Sequence, residues 1–162
     1  MTETQNKDIE YKVVEKLIEK NYRISFAESC TAGLAAGRLV NVPDASKVLD
    51  VSFVTYADEA KMKYLGVKQE TIKEVGVVSI EVAGQMAEGA AKAMGADVGV
   101  GITGIAGPTG GTASKPVGMV CFGFWINGEV HTFTQQFGEI GRNNVRAKPV
   151  EFVYEELLEL ID

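Results

Sequence analysis

Near its amino end the chain reads Ile24-Ser25-Phe26-Ala27-Glu28-Ser29-Cys30-Thr31-Ala32-Gly33. The apolar residues 24–27 predict a buried β-strand, and residues 31–40 predict a helix that is closed by Asn41 and Pro43. Ser29 therefore lies at a strand-to-helix turn, where the unpaired N–H groups of a helix N-terminus can hold a phosphate or stabilise an oxyanion. Serine and threonine also cap helices at such turns, so this motif by itself favours a cap.

The hydrophobic pattern on both sides of this turn predicts alternating helices and strands. We expect helices over the first twenty residues and over residues 31–40, 57–65 and 70–75. A further helix should follow Ser79, which can cap it. The last helix should carry Val150, Val153, Leu157 and Ile161 on one face. We expect strands over residues 24–27, 48–56, 97–103, 117–126 and 130–137. The last two strands form a hairpin around Asn127-Gly128, while strands separated by helices pair in parallel. The sequence thus predicts an α/β fold with a mixed, mainly parallel sheet, helices on both faces and a C-terminal β-hairpin.

Length and composition narrow the class of protein. A chain of 162 residues with a 46% hydrophobic share fits one globular domain over residues 1–162. The net charge of −6 argues against a nucleic-acid binder, which would carry a basic face. The polar residues 1–10 lack the apolar core of a signal peptide, and no stretch is apolar enough to span a membrane. Two widely separated cysteines do not form a disulfide framework, so we expect a cytoplasmic protein.

The single histidine limits the chemistry that this chain can carry out. His131 lies in a predicted strand as a half-exposed sheet residue, so we expect neither a Ser–His–Asp triad nor a His-rich metal site. Cys30 is a rival nucleophile, because a thiol at a helix N-terminus has a lowered pKa, but we expect it to pack. If Ser29 is a nucleophile, a desolvated lysine is the alternative base. Lys61 follows the strand end at Tyr56 closely enough to lean over the turn, whereas most lysines are solvated helix charges.

Two further segments could bind a ligand. The loop over residues 104–116 contains Gly104, Gly107, Gly110 and Gly111, and glycines at this density let backbone N–H groups approach a ligand closely. It matches neither a Walker phosphate loop nor a Rossmann fingerprint, and it could equally be a plain connection. Arg142 and Arg146 are four residues apart and could clamp an anion from one helical face. Pro149 disfavours a helix there, so these arginines could also lie on a surface loop.

Four segments in order carry a family resemblance: AESCTAG over residues 27–33, VTYADEAK over 54–61, GITGIAGP over 101–108 and KPVG over 115–118. Together they resemble the C-terminal domain of the CinA (competence/damage-inducible) family, the nicotinamide mononucleotide deamidases. The resemblance implies a three-layer αβα sandwich and an amidohydrolase that converts nicotinamide mononucleotide to nicotinic acid mononucleotide and ammonia, with no metal or organic cofactor. We also expect a homo-oligomer.

The resemblance also implies roles for individual residues. Ser29 is the expected nucleophile and Lys61 its base, with Tyr56 beside them and Thr103 supporting the pair or the oxyanion. The N–H groups near Cys30 and Thr31 are expected to bear the oxyanion. The full set of expected substrate-binding residues is Cys30, Thr31, Gly33, Gly104, Gly107 and Arg142.

Three features of the sequence favour an alternative: Ala32, Pro149 and the altered segment over residues 138–142. Ala32 occupies a position where the family usually has glycine, and residues 138–142 read Gly-Glu-Ile-Gly-Arg instead of containing Gly-Asp-Arg. The molybdopterin-binding-like domain that precedes many family members is not expected in 162 residues. The alternative is a nucleotide-binding or regulatory module that keeps the pocket without turnover. A protein-interaction domain is a third reading, which rests on the family name alone.

Overall fold

The computed structural model describes residues 8–162. The helices are α1 (Ile9–Lys20), α2 (Leu34–Val40), α3 (Asp58–Leu65), α4 (Gln69–Val75), α5 (Ile80–Met94) and α6 (Arg142–Leu160), with a 3-10 helix at Pro43–Lys47. The strands are β1 (Ile24–Glu28), β2 (Leu49–Val54), β3 (Val98–Gly104), β4 (Met119–Ile126) and β5 (Glu129–Gln136). The expected start of the first helix falls partly on residues 1–7, which lie outside the described residues.

The five strands form one sheet in the order β2-β1-β3-β4-β5. The pairs β1–β2 and β1–β3 are parallel, while β3–β4 and β4–β5 are antiparallel. It follows that β4 alone runs against the other four strands. This arrangement confirms the mixed sheet with a C-terminal hairpin, and Asn127 and Gly128 make its turn with positive φ angles of 47° and 90°.

Helices cover both faces of this sheet and give the predicted three layers. On one face α1, α2 and α6 pack around a core that includes Phe26, Phe122 and Tyr154. On the other face α3 and α5 pack over Ala27, with Leu65 and Met86 between the layers. Strand β1 lies in the middle of the parallel part of the sheet and is buried on both faces, so its residues up to Glu28 are apolar except for Ser25.

Helix α5 lies unusually close to the sheet because glycines line its contact. A Cβ atom on Gly101 would come within 2.2 Å of the carbonyl oxygen of Ala83, and one on Gly123 within 2.3 Å of the same oxygen. Ser79 caps this helix by accepting the N–H of Val82, as the sequence predicts.

The structure corrects one predicted helix boundary and decides between the helix and the loop that were both open for Arg142 and Arg146. Helix α2 begins at Leu34 and not at Thr31, because Ala32 and Gly33 have positive φ angles of 46° and 95° that an α-helix does not accept. Helix α6 begins at Arg142 and continues through Pro149, so the two arginines lie on a helix and not on a loop. Pro149 is buried in the interface that α6 makes with the core, and this packing outweighs the hydrogen bond that proline removes.

No helix within residues 8–162 combines the length and the apolar character that a membrane crossing needs.

Candidate active site

The candidate site lies where the three neighbouring parallel strands end. The sheet register aligns Glu28 of β1 with Val54 of β2 and with Ile102 of β3. One residue further along, the N–H of Ser29 donates to the Ile102 carbonyl and the N–H of Thr55 donates to the Glu28 carbonyl, each at 3.0 Å. The chain segments that follow the three strands therefore leave the sheet side by side.

The connections from β1 and β2 then diverge. The segment after β1 leads to α2 on one face of the sheet, and the segment after β2 leads to α3 on the opposite face. Such a point of divergence opens a crevice beyond the carboxyl ends of the strands, which is where open α/β sheets bind ligands. Ser29 and Lys61 face each other across it.

Lys61 contacts Ser29 directly. Its Nζ lies 3.1 Å from Ser29 Oγ and also donates to the carbonyl oxygens of Thr55 at 2.7 Å and Tyr56 at 3.2 Å. The lysine side chain is only 1% exposed. A neutral amine has two N–H donors and one lone pair. With its two donors on the two carbonyls, the lone pair of a neutral Lys61 is directed at the Ser29 hydroxyl.

The surroundings of Lys61 favour that neutral form. Burial lowers the pKa of its ammonium group, because desolvation penalises the charged state, while the negative charge of Asp58 partly opposes this shift. A buried lysine with a lowered pKa next to a hydroxyl can accept a proton near neutral pH. The pair has the geometry of a nucleophile and its base.

Glu28 is fully buried beside the nucleophile and sequence reasoning missed its role. Its carboxylate accepts the backbone N–H groups of Ala35 at 2.8 Å and Ala36 at 3.1 Å, and the hydroxyl of Thr31 at 2.6 Å. The first N–H groups of α2 are thus capped by the protein itself. The expected binding role of this helix N-terminus is corrected accordingly, since those donors are not free for a ligand.

The backbone N–H groups of Cys30 and Thr31, in the turn after Ser29, face the Cys30 sulfur. Within residues 8–162, no backbone carbonyl accepts the N–H groups of Cys30 or Thr31. The carbonyl of Cys30 is held by Arg146 Nε at 2.9 Å, which fixes the orientation of this turn. The N–H of Cys30, next to Ser29, is therefore a candidate oxyanion donor.

The Cys30 thiol itself is a poor nucleophile. Burial raises its pKa to about 11, and the nearby negative charge of Glu28 adds to this effect. A thiol with that pKa carries almost no thiolate at neutral pH. Of the two rivals in the turn, Ser29 is the one that has a base.

A cavity of about 440 Å³ opens over the Ser29–Lys61 pair. Of the residues named from the sequence, its lining includes Ser29, Cys30, Tyr56, Lys61, Thr103, Gly104, Gly107 and Arg142. Two expected substrate-binding residues lie elsewhere. Thr31 is fully buried with its hydroxyl on Glu28, and Gly33 borders a separate groove between α2 and α6.

Arg142 joins two walls of this cavity. Its guanidinium donates through Nη1 to the Gly107 carbonyl at 2.7 Å and through Nη2 to the Tyr56 hydroxyl at 2.9 Å. Thr103 is buried deeper, where its hydroxyl donates to the Val77 carbonyl at 3.2 Å. The glycine-rich loop is thus tied through Arg142 to the segment that carries Lys61.

Known proteins match this chain over nearly its whole length. A sequence profile of the CinA C-terminal domain matches residues 6–161. The chain belongs to the CinA family.

Several CinA relatives are similar to it in sequence and structure. A CinA-like protein of Kosmotoga olearia is 47% identical over 153 residues, covering 92% of this chain and 37% of that protein. A CinA-like protein of Dictyoglomus turgidum is 54% identical over 122 residues, covering 75% of this chain and 30% of that protein. The chain thus spans about a third of the length of these curated relatives.

Solved CinA structures share the whole fold. The competence/damage inducible protein CihA from Agrobacterium tumefaciens superposes with a TM-score of 0.92 at 40% identity, covering 96% of this chain and 94% of that one. A CinA superfamily protein from Escherichia coli superposes with a TM-score of 0.90 at 37% identity, covering 94% and 88%.

Lys115 is the second residue of this CinA site that sequence reasoning missed. It belongs to the KPVG segment that carried part of the family resemblance, yet nothing in its local sequence marked it as a ligand. The structure places it in the cavity lining, against the carbonyl of Val75. His131, in contrast, lies on β5 near Glu129 and does not border the cavity.

Proposed function

We propose that the protein is a serine–lysine amidohydrolase that deamidates nicotinamide mononucleotide to nicotinic acid mononucleotide and ammonia. The observation that carries this proposal is the buried contact of 3.1 Å between Lys61 Nζ and Ser29 Oγ. Membership of the CinA family and the order of the four resembling segments agree with it.

The first half of the reaction forms an acyl-enzyme. Ser29 Oγ attacks the carboxamide carbon while its proton passes to the lone pair of Lys61 Nζ. The N–H of Cys30 stabilises the resulting oxyanion. When the C–N bond breaks, Lys61 gives that proton to the leaving nitrogen, which departs as ammonia, and the acyl group stays on Ser29 as an ester.

The second half restores the enzyme. A water molecule takes the place of ammonia, and Lys61 accepts one of its protons as the water oxygen attacks the ester carbon. Collapse of this second intermediate breaks the bond to Ser29 Oγ, and Lys61 returns the proton to that oxygen. The product leaves as a carboxylate with the rest of the nucleotide intact.

The cavity suits a small anionic nucleotide. Its volume of about 440 Å³ lies in the range of small-molecule sites. Among its lining residues the cations Lys115 and Arg142 outnumber the single acid Asp58. This local excess of positive charge contrasts with the net charge of −6 of the whole chain, so it would favour a phosphorylated ligand over a neutral one.

Ammonia release from nicotinamide mononucleotide tests the proposal. Ser29→Ala and Lys61→Met should each lower kcat/KM by about 10²–10⁴ or more, because they remove the nucleophile or the base. Lys63→Met is the matched control, since Lys63 lies on the same helix but is exposed and outside the cavity lining. Parallel assays with nicotinamide riboside and the dinucleotide define the substrate class. Variants that keep turnover within a few-fold of wild type would disprove the mechanism.

A binding module without turnover is the second candidate, and Ala32 favours it. This residue holds a φ of 46° in the turn after the nucleophile, a conformation that costs a residue with a Cβ about 1 kcal/mol or more. The strain lies two residues from the proposed oxyanion donor at Cys30. Calorimetry with the mononucleotide distinguishes the two candidates, because tight binding without ammonia release would support the module.

A further inference from the structure

Lys115 is a cation in the cavity that the proposed mechanism does not use. Lys61 contacts Ser29, and Arg142 already donates hydrogen bonds to Gly107 and Tyr56. The Lys115 ammonium has three N–H donors, of which the contact with the Val75 carbonyl uses one. It takes part in none of the ion pairs found in the described part of the chain.

The backbone around Lys115 holds this ammonium in place. The N–H of Lys115 donates to Thr112 Oγ1 at 3.0 Å, and the N–H of Thr112 donates to the Lys115 carbonyl at 2.8 Å. These two bonds close a tight turn that directs the side chain towards the end of α4. The backbone of Lys115 is therefore fixed in the cavity wall, and its ammonium is held there by the contact with the Val75 carbonyl.

Gly76 makes the space that the ammonium occupies. A Cβ atom at this position would lie 2.7 Å from Lys115 Nζ, so any other residue would displace the charged group. Gly76 borders the cavity too, and its φ of 83° ends α4 directly after Val75. Gly76 and Lys115 are 39 positions apart in sequence, yet together they put a positive charge on the wall of the cavity.

We propose that Lys115, seated over Gly76, binds the phosphate of the mononucleotide and so selects phosphorylated amides over unphosphorylated ones. This inference rests on the proposed function and adds to it the residue that recognises the anionic group. An ammonium with two free donors and no carboxylate partner gains most from a ligand that carries phosphate oxygens. Arg142 then serves mainly to hold the cavity walls together.

A structural role for Lys115 makes a different prediction. If the lysine only tethers the loop to the C-terminal end of α4, its loss lowers the affinity for every ligand to the same degree. If it binds phosphate, its loss lowers only the affinity for the phosphorylated ligand. The ratio of the two affinities separates these roles.

Calorimetry on the Ser29→Ala background tests the inference without turnover. Lys115→Met should lower the affinity for nicotinamide mononucleotide about tenfold or more and change the affinity for nicotinamide riboside by less than about twofold. Inorganic phosphate should compete with the mononucleotide for binding to the Ser29→Ala protein. It should not compete for binding to the double variant that carries both Ser29→Ala and Lys115→Met. Lys73→Met is the matched control, because Lys73 lies in the last turn of α4 but outside the cavity lining. It should leave both affinities unchanged.

Other outcomes would overturn the inference. An equal loss for both ligands means a structural role, and no loss for either means that Lys115 does not contact the ligand. Gly76→Ala provides a second variant, since it displaces the ammonium while keeping the lysine, and should reproduce the selective loss in a protein whose thermal unfolding shows it folded. Selective binding by a wild-type protein that releases no ammonia would uphold the phosphate site and refute the hydrolase. A protein that binds neither ligand would refute both.

Discussion

The carboxylate of Glu28 accepts the backbone N–H of Ala35 across 2.8 Å, and so caps α2 from inside the core. Glu28 also precedes Ser29 directly in the chain, and its other carboxylate oxygen accepts from Ala36. One buried acid thus fixes the start of α2 and the turn that carries Ser29 and Thr31.

Glu28→Gln should lower both stability and turnover. The glutamine amide keeps one acceptor oxygen, but its NH₂ group then faces an N–H group of α2 that the carboxylate of Glu28 had accepted. We therefore expect a loss of about 1–3 kcal/mol in the free energy of unfolding. We expect kcat to fall more than KM rises, because Ser29 is displaced. Urea unfolding and steady-state kinetics measure the two effects. Glu59→Gln, an exposed acid in the first turn of α3, is the control. A Glu28→Gln protein as stable as wild type would contradict the capping role.

The pH dependence of turnover should follow Lys61. In the proposed mechanism its neutral form is the base, and burial lowers its pKa from the ordinary 10.5, so kcat/KM should rise with pH through a midpoint below 10.5. Lys61→Arg should be inactive throughout, since a guanidinium keeps its proton. A profile of kcat/KM between about pH 6 and pH 10 gives the midpoint. A flat profile would count against lysine as the base.

The same lysine should make stability depend on pH. Its folded pKa is lower than its unfolded pKa, so the unfolded chain binds more protons between the two values and stability rises with pH across that range. Lys61→Met removes this contribution. The free energy of unfolding of wild type, relative to Lys61→Met, should therefore increase from neutral pH towards pH 10.5, measured by denaturant titration. A difference that stays constant with pH would show that the Lys61 pKa is not lowered.

Both cysteines should resist alkylation in the folded protein. Burial raises the pKa of Cys30 to about 11 and also raises that of Cys121, and both side chains are buried. We expect iodoacetamide at about pH 8 to label neither residue and to leave ammonia release unchanged, while both are labelled in urea. Mass spectrometry reads the labels. Rapid labelling of Cys30 with loss of turnover would make the thiol, and not Ser29, the nucleophile.

Two glycines should respond to alanine in opposite directions. A Cβ on Gly101 would approach the Ala83 carbonyl to 2.2 Å, so Gly101→Ala should push α5 off the sheet and cost about 3 kcal/mol or more. Gly37 lies within α2 and has open space around it, so Gly37→Ala should stabilise the protein by about 0.5–1 kcal/mol. Thermal unfolding of both variants checks the contrast. Equal effects would mean that the helix-to-sheet contact is looser than described.

The elements that sequence reasoning could predict are those with local signals. The mostly apolar run before Glu28, interrupted only by Ser25, indicates a buried strand, and Asn127-Gly128 indicates a hairpin turn. Ser29 and Lys61 could be paired in advance because each follows a strand end, and parallel strands bring such ends to one edge of the sheet.

The features that escaped prediction depend on tertiary contacts. Pro149 is a helix breaker in isolation, and only its packing against the core keeps α6 continuous. In the sequence Glu28 is a polar residue at a predicted turn, and the neighbouring residues do not indicate that its side chain points inward and contacts α2. The place of Lys115 in the cavity depends on its contact with Gly76, and no sequence pattern connects these two residues.

The bridge made by Arg142 has a kinetic consequence. Tyr56 follows β2 and Gly107 follows β3, so the bridge links the segments on either side of the one that carries Ser29. Its Tyr56 end is exposed, and exposed side chains change rotamer within about nanoseconds. Typical enzyme turnover takes about a millisecond to a second, so we expect the hydrogen bond between Arg142 and Tyr56 to break and re-form many times within one cycle of the proposed reaction. In the proposed reaction this bridge therefore does not set the rate, which is left to the acylation chemistry and to the release of a charged product.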